Sequence, residues 1–260
     1  MDPAVKKAII GVVATLAYVA ALWWLNRQLT RRADWWKWAT VALLGYTVIA
    51  GLLGPIPRLA ILNETERNLY FHVPMWFGMT TLLALSVVNS IRYLRAPSPL
   101  LDTLAYETVK AGTLLGVLGL LTGSLWARYT WGTWWTTDVK LNCAAVTMLI
   151  YGAYLVLRGA VQDEQQRARL SAIYNVFAFA AAIPLLFIIP RLASASLHPG
   201  MGGNPGFSNY DLDSNMRLVF YPAVIGWTLL GVWITQVACR LTFVREKIYE
   251  KQEKQAKQLA

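Results

Sequence analysis

The stretch from Trp126 to Leu141 reads WARYTWGTWWTTDVKL and holds four of the chain's twelve tryptophans. Apolar runs lie on both sides of it, from Leu114 to Leu125 and from Leu141 to Leu157. The stretch itself is too polar to cross a membrane, so it is predicted to lie at the edge of an apolar layer. Tryptophans at such an edge can be interfacial anchors. Their density here favours a second interpretation, an aromatic platform that receives a large, flat, apolar ligand.

Composition indicates an integral membrane protein. The chain has 260 residues, of which 56% are hydrophobic and only 15% charged, and its mean hydropathy is +0.41. Soluble globular chains carry about 25% charged residues. The net charge of +10 could suggest nucleic-acid binding. The basic residues lie beside apolar segments, however, as the positive-inside rule requires, so no nucleic-acid partner is predicted.

Seven apolar segments approach the length of about 20 residues that a helix needs to cross a bilayer. No alternating pattern indicates a barrel, so the predicted fold is all-α, a polytopic transmembrane helix bundle. The first segment has no small-residue cleavage site and is predicted to be retained. The predicted spans are Ala4–Leu25, Trp38–Leu53, Val73–Leu94, Thr108–Trp126, Leu141–Leu157, Leu170–Leu192 and Leu218–Leu241.

Charge predicts the orientation of these spans. Most of the 24 Lys and Arg residues lie after the first, third, fifth and seventh segments or beside them. Those flanks are therefore predicted to be cytoplasmic, with the amino terminus outside and the carboxyl terminus inside. The tryptophan stretch and the loops at 54–72 and 193–217 are then on the outer side.

Both histidines of the chain fall on this predicted outer side. His72 lies in Tyr-Phe-His-Val-Pro at the start of the third span, and His198 lies in Ser-Leu-His-Pro-Gly after the sixth. A histidine at an interface can be a simple amphipathic anchor. Two histidines beside an aromatic platform favour haem, whose iron commonly takes axial imidazoles. Zinc would need three or four ligands, and the outer loops offer no cysteine and no third histidine.

Three motifs together resemble a known family. Residues 131–141 resemble the tryptophan-rich WWD signature of haem-handling proteins, and Thr122-Gly-Ser-Leu-Trp126 and His72-Val-Pro74 narrow the resemblance. The chain resembles haem exporter protein C of cytochrome c maturation, CcmC, over roughly Trp38–Arg245. The family core has six spans, so the first segment is an extra amino-terminal span.

The resemblance implies a function and a set of site residues. It implies that haem b is held on the outer face of the bacterial cytoplasmic (inner) membrane and passed to the haem chaperone CcmE, beside the ABC transporter subunits CcmA and CcmB. It also implies that two histidines bind the iron and that basic residues meet the haem propionates. The residues implicated are His72, His198, Trp126, Trp131, Trp134, Trp135, Asp138, Arg67 and Lys140.

The sequence departs from the family pattern at three places. Lys140 stands where the family usually has arginine, which keeps the charge but loses the bidentate fork. Thr137 stands where it usually has tryptophan, which removes one ring from the platform. The extra span Ala4–Leu25 resembles the small one-span partner CcmD in topology, so it either replaces CcmD or is a plain membrane anchor.

Other features bound the chemistry. The chain has no Cys-x-x-Cys-His motif for covalent haem and no phosphate-binding glycine loop, so ATP would be used by a partner. No bond-breaking role is predicted, and the protein is expected to handle haem rather than to be an enzyme. No charged residue lies at the middle of a span, which argues against a channel. Cys143 and Cys239 are predicted at opposite faces, and Pro184 and the glycines of Gly112–Gly123 at kinks and close helix contacts.

The predicted organisation has three parts. Residues 1–37 form the extra helix and a basic linker, 38–245 the haem-handling membrane domain, and 246–260 a charged cytoplasmic tail that is helical and solvated. The loop Pro199–Arg217 is either a lid, a contact for the chaperone, or an ordinary surface loop. The alternative function is the membrane component of a cytochrome c synthase. Such an enzyme would need a docking site for apocytochrome and further histidines, and the chain has only two.

Overall fold

The computed structural model describes residues 3–31, 33–57, 62–193, 196–198 and 212–259. These residues form α-helices joined by short connections, with a 3-10 turn at Asn63–Asn68 and a π-helical turn at Pro184–Ile188. The predicted all-α class is therefore confirmed for the described part of the chain. The helices are α1 (Pro3–Gln28), α2 (Trp35–Leu53), α3 (Leu69–Arg95), α4 (Pro99–Trp131), α5 (Val139–Ala160), α6 (Glu164–Ile183), α7 (Ile189–Leu192) and α8 (Ser214–Leu259).

The seven predicted spans are confirmed, since the described residues contain seven helical stretches long and apolar enough to cross a membrane. The helices are longer than the apolar segments that predicted them. Helix α4, for example, begins at Pro99 rather than Thr108 and ends at Trp131 rather than Trp126. Hydrophobicity marks only the part of a helix that lies in lipid, while the backbone hydrogen bonds continue into the polar ends.

Helix α3 lies at the centre of the bundle and packs against α4, α6 and α8, while α2 packs on α8. Half of the most apolar window of α3 and of α8 is buried inside the protein. Small residues let α3 and α4 approach closely, as predicted for Gly112–Gly123. At Gly112, for instance, a Cβ atom would lie 3.2 Å from Leu83 Cδ2.

Helix α1 is peripheral. Only 6% of its most apolar window is buried, so most of its surface faces outward. Its carboxyl-terminal end is nevertheless tied to the bundle, because Gln236 Nε2 donates to the carbonyl oxygens of Gln28 and Arg31, each at 2.7 Å. Asn89 Nδ2 also donates to Asn26 Oδ1 at 2.8 Å. Whether α1 replaces CcmD stays a prediction.

A partly buried ion pair joins α4 to α5 at the end of the bundle far from the tryptophan stretch. The Arg158 guanidinium donates to both carboxylate oxygens of Asp102, at 2.7 and 2.5 Å, and lies over the Tyr106 ring at 4.2 Å. Because little solvent reaches the pair, removing one partner would leave the charge of the other poorly compensated. The pair therefore holds the start of α4 against the end of α5. The tryptophan stretch connects the same two helices at the opposite end of the bundle.

Four further predictions concern the two cysteines, the carboxyl-terminal tail, Pro184 and the loop after the sixth span. Cys143 and Cys239 are both free, which agrees with their predicted places at opposite faces, and both are buried. The predicted helical tail is confirmed: α8 continues without a break to Leu259, with Lys257 Nζ 2.6 Å from Glu253 Oε1. Pro184 starts a π-helical turn, which is the irregularity predicted there. Most of the loop Pro199–Arg217, with its three open interpretations of lid, chaperone contact and surface loop, lies outside the described residues.

Candidate functional site: a histidine and tryptophan cavity

A cavity of about 190 Å³ lies at the end of the bundle that carries the tryptophan stretch. Its walls come from α3, α4, the start of α5, the π-helical turn with α7, and the segment that holds His198. Pockets that enclose a small ligand have volumes of about 300–1,000 Å³, so a porphyrin would be only partly enclosed here. The predicted site residues that line the cavity are His72, His198, Trp126, Trp131, Trp135 and Lys140.

His72 is held by α4. Its Nδ1 lies 2.9 Å from the carbonyl oxygen of Gly119 and 3.2 Å from Thr122 Oγ1. A carbonyl oxygen only accepts hydrogen bonds, so Nδ1 carries the proton and Nε2 keeps its lone pair. Metal-binding histidines are commonly oriented in this way, by a hydrogen bond from the nitrogen that does not bind the metal. This hydrogen bond leaves the Nε2 lone pair of His72 available to accept a hydrogen bond or to bind a metal.

Gly123 makes room for this ring. A Cβ atom at position 123 would lie 2.6 Å from His72 Cε1 and 3.1 Å from its Nδ1. Those distances are shorter than normal contacts between carbon or nitrogen atoms, so any larger residue would displace the imidazole. The position of the His72 ring therefore explains why the Thr-Gly-Ser motif has glycine at position 123.

His198 lies on the other side of the cavity among tryptophan rings. The ring centroids of Trp126 and Trp131 are 6.3 and 6.4 Å from that of His198, and the two tryptophans pack edge to face at 5.2 Å. Trp76, one turn after His72 on α3, has its ring centroid 6.3 Å from the His72 ring. Trp76 was not predicted as a site residue, although its spacing of four residues from His72 places both on one face of a helix.

The spacing of the two histidines fits a single metal ion between them. Their ring centroids are 6.3 Å apart. An imidazole nitrogen binds a metal at about 2.0–2.1 Å and the ring centre lies about 1.1 Å beyond it, so two such ligands on one ion place their centres roughly 6 Å apart. Among the described residues, no group of three or more His, Cys, Asp and Glu side chains forms an alternative metal site. The donor set therefore fits haem iron with two axial imidazoles.

Asp138 joins the tryptophan stretch to the segment that carries His198. Its Oδ2 accepts hydrogen bonds from Ser196 Oγ at 2.7 Å and from the Leu197 backbone N–H at 2.8 Å, and its Oδ1 accepts from the Lys140 N–H at 2.8 Å. Ser196 Oγ in turn accepts from the His198 N–H at 3.1 Å. Asp138 does not line the cavity, so the structure gives it the geometry of a positioning residue for His198.

The charge of Asp138 is maintained by these bonds. Burial would raise the pKa of the carboxyl group, but the hydrogen bonds from Ser196, Lys140 and Leu197 outweigh it and hold the pKa below its ordinary value. The group is therefore ionised at neutral pH, and hydrogen bonds to an ionised acceptor are roughly twice as strong as neutral ones.

The loop between α4 and α5 is fixed by its own hydrogen bonds. Ser124 Oγ donates to the Trp134 carbonyl oxygen at 2.7 Å, and the Trp135 indole N–H donates to Asn142 Oδ1 at 3.2 Å. Gly132, with φ of 76°, ends α4 in the left-handed conformation that favours glycine. Trp135 lines the cavity, whereas the Trp134 ring is 57% exposed and does not.

Arg67 has other partners. Its Nη1 donates to the carbonyl oxygens of Gly51 and Gly54, at 2.9 and 2.8 Å, and its Nε pairs with Glu64 at 2.8 Å. These contacts satisfy the carboxyl-terminal end of α2, and Arg67 is not among the residues that line the cavity. The predicted contact of Arg67 with a haem propionate stays a prediction.

Comparison with known proteins gives consistent similarities. Residues 15–259 match the family model described as Heme exporter protein C. The chain is 29% identical to Heme exporter protein C of Bradyrhizobium diazoefficiens over 231 residues. This aligned region covers 88% of this chain and 86% of that protein. It is 48% identical over 77 residues to Cytochrome c biogenesis protein CcsA of Prochlorococcus marinus strain MIT 9515, covering 30% of this chain and 25% of that protein.

The link from Asp138 to His198 generates a prediction. Ser196→Ala and Asp138→Asn should each loosen the His198 segment, and haem added to the purified protein should bind about 10–100-fold more weakly, as when the hydrogen-bond partners of other metal ligands are removed. The low-spin absorption of the remaining complex should fall while a five-coordinate form grows. Ser196→Thr, which keeps the hydroxyl, should preserve the spectrum. An unchanged low-spin fraction in Ser196→Ala would contradict the positioning role.

Proposed function

Because the chain belongs to the haem exporter protein C family, we propose that it holds haem b between His72 and His198 and passes it to the haem chaperone CcmE. The observation that carries this proposal is the 6.3 Å spacing of the two imidazole rings across one cavity. Haem supplies an iron that takes two axial nitrogens and a flat apolar ring that stacks on aromatic side chains.

The residues of the chain have separate tasks in this proposal. Nε2 of His72 is presented by the Gly119 hydrogen bond, and His198 is presented by the Asp138 and Ser196 contacts. The tryptophans around His198 exclude water from one side of the cavity, while the small volume leaves part of the cargo accessible. A site that encloses its cargo only in part suits a protein that gives the cargo away. The proposed role is handling and transfer, with no bond broken by this chain.

The proposed setting follows from the family and the charge pattern. The site would face the outer, periplasmic side of the bacterial cytoplasmic membrane, and CcmA and CcmB would supply ATP-dependent work beside it. CcmD, or α1 in its place, would complete the assembly. The second candidate is a membrane component of a cytochrome c synthase. The similarity to CcsA supports it, but that similarity covers only 30% of this chain.

The ligands are tested by His72→Gly and His198→Gly. Each variant should lose the six-coordinate low-spin spectrum of bound haem, because each leaves one axial position without a protein nitrogen. Free imidazole, which fits the space vacated by the ring, should restore it. Transfer to purified CcmE and to apocytochrome c should be measured in parallel. Delivery to CcmE alone supports the proposed role, delivery to apocytochrome alone favours the synthase, and full delivery by both variants contradicts the site.

The aromatic platform is tested by the double variant Trp134→Ala/Trp135→Ala. Retention of haem and its transfer to CcmE should fall, chiefly through Trp135, which lines the cavity, because an aromatic pair contributes about 0.5–1.5 kcal/mol beyond burial. The spectrum of the haem that remains should still show two histidines, since neither tryptophan carries an iron ligand.

The matched control for this variant is Trp35→Ala/Trp38→Ala. These two tryptophans lie in the first turn of α2, are 64% and 75% exposed, and do not line the cavity. The control should retain and transfer haem normally. If both double variants behaved like the wild type, the tryptophan stretch would be an interfacial anchor and the platform interpretation would be wrong.

The orientation is tested by single cysteines in a chain whose two buried cysteines are replaced by alanine. Tyr129 is 74% exposed at the end of α4 beside the cavity, and Gln162 is exposed between α5 and α6. Tyr129→Cys should react with a membrane-impermeant thiol reagent in spheroplasts, and Gln162→Cys should react only after lysis. The reverse pattern would place the site in the cytoplasm.

A further inference from the structure

Two cationic side chains line the cavity among the described residues, and one of them was not predicted from the sequence. Lys140 is in the first turn of α5, and Arg191 is in α7. Helices α5 and α7 pack against each other, so the two cations lie on adjacent walls at the same end of the bundle. The walls that carry Val73, Phe77 and Leu120 are apolar. The cavity therefore has a basic side and an apolar side.

We infer that Arg191 binds one carboxylate of the haem cargo, beside the contact of Lys140 with the other that the family resemblance implies. This inference rests on the proposed function and names the residues that recognise the charged edge of the ligand. Both propionates of haem b project from one edge of the porphyrin, and the opposite edge carries only methyl and vinyl groups. A cavity with two cations on adjacent walls and apolar residues elsewhere matches that distribution of charge.

The local structure explains why Arg191 reaches the cavity. The π-helical turn at Pro184–Ile188 inserts an extra residue between α6 and α7, which rotates the residues that follow. The cavity is then lined from this segment by Leu186, Phe187, Pro190 and Arg191. Turns of this kind recur at functional sites because they redirect side chains without ending the helix.

The hydrogen bonds of Arg191 leave room for a carboxylate. Among the described residues its guanidinium makes one hydrogen bond, from Nη1 to the Phe187 carbonyl oxygen, which orients the side chain. An arginine has five N–H donors and commonly binds a carboxylate through two of them. Arg67, in contrast, uses its guanidinium on two carbonyl oxygens and on Glu64.

The test compares haem with its dimethyl ester, which keeps the iron and the ring but has no carboxylate charge. Arg191→Gln should weaken haem binding about 5- to 10-fold, just below the range for hydrogen bonds to charged groups, because the side chain is exposed and solvent screens its charge. It should leave ester binding unchanged, and bound haem should keep its two-histidine spectrum. Arg191→Lys should lie between the wild type and Arg191→Gln, because lysine keeps the charge without the fork.

A matched control and the ester together distinguish carboxylate binding from a general effect of charge. Arg95→Gln, an exposed arginine at the far end of α3, should affect neither ligand. If Arg191 only placed its charge in the headgroup layer, Arg191→Gln would weaken the binding of haem and of the ester equally, or would weaken neither. Either result would overturn the inference. Selectivity for haem over the ester that depends on Arg67 and not on Arg191 would also overturn it. If the wild type bound neither ligand, the proposed function itself would fail.

Discussion

The close approach of His72 to α4 is the contact on which the rest of the site depends. Gly123 leaves space for the imidazole, and the Gly119 carbonyl oxygen holds Nδ1 at 2.9 Å. One contact therefore sets the position, the orientation and the tautomer of the ring. It also requires α3 and α4 to pack with almost no side chain between them, which is why glycines recur along this face of α4.

The second histidine depends on a different kind of contact. His198 lies in a connection rather than in a helix, and a connection is held only by the bonds that it makes. Among the described residues, the Asp138 carboxylate and Ser196 provide such bonds, and Asp138 belongs to the same tryptophan stretch whose rings lie near His198. The WWD signature thus has two structural roles: its tryptophans supply aromatic surface, and its aspartate fixes the segment that carries His198.

The sequence predicted the fold class, the seven spans and the family correctly, because hydrophobic length and local motifs carry that information. It also named six of the residues that line the cavity. It did not reveal that Arg67 binds the end of α2 or that Arg191 faces the cavity. Those facts depend on the packing of segments far apart in the chain and on the rotation caused by a π-helical turn, and neither leaves a local pattern. The link from Asp138 to Ser196 joins residues 58 positions apart and was hidden for the same reason.

The central claim is that His72 and His198 bind one haem iron together. The chain contains only two histidines, so growth on ¹⁵N-histidine labels these two imidazoles and no other side chain. Pulsed electron–nuclear double resonance of the low-spin ferric complex would detect the axial nitrogens directly. The account predicts two ¹⁵N-labelled axial ligands on one iron, at a stoichiometry of one haem per chain. A single labelled nitrogen, or none, in the wild-type complex would contradict it.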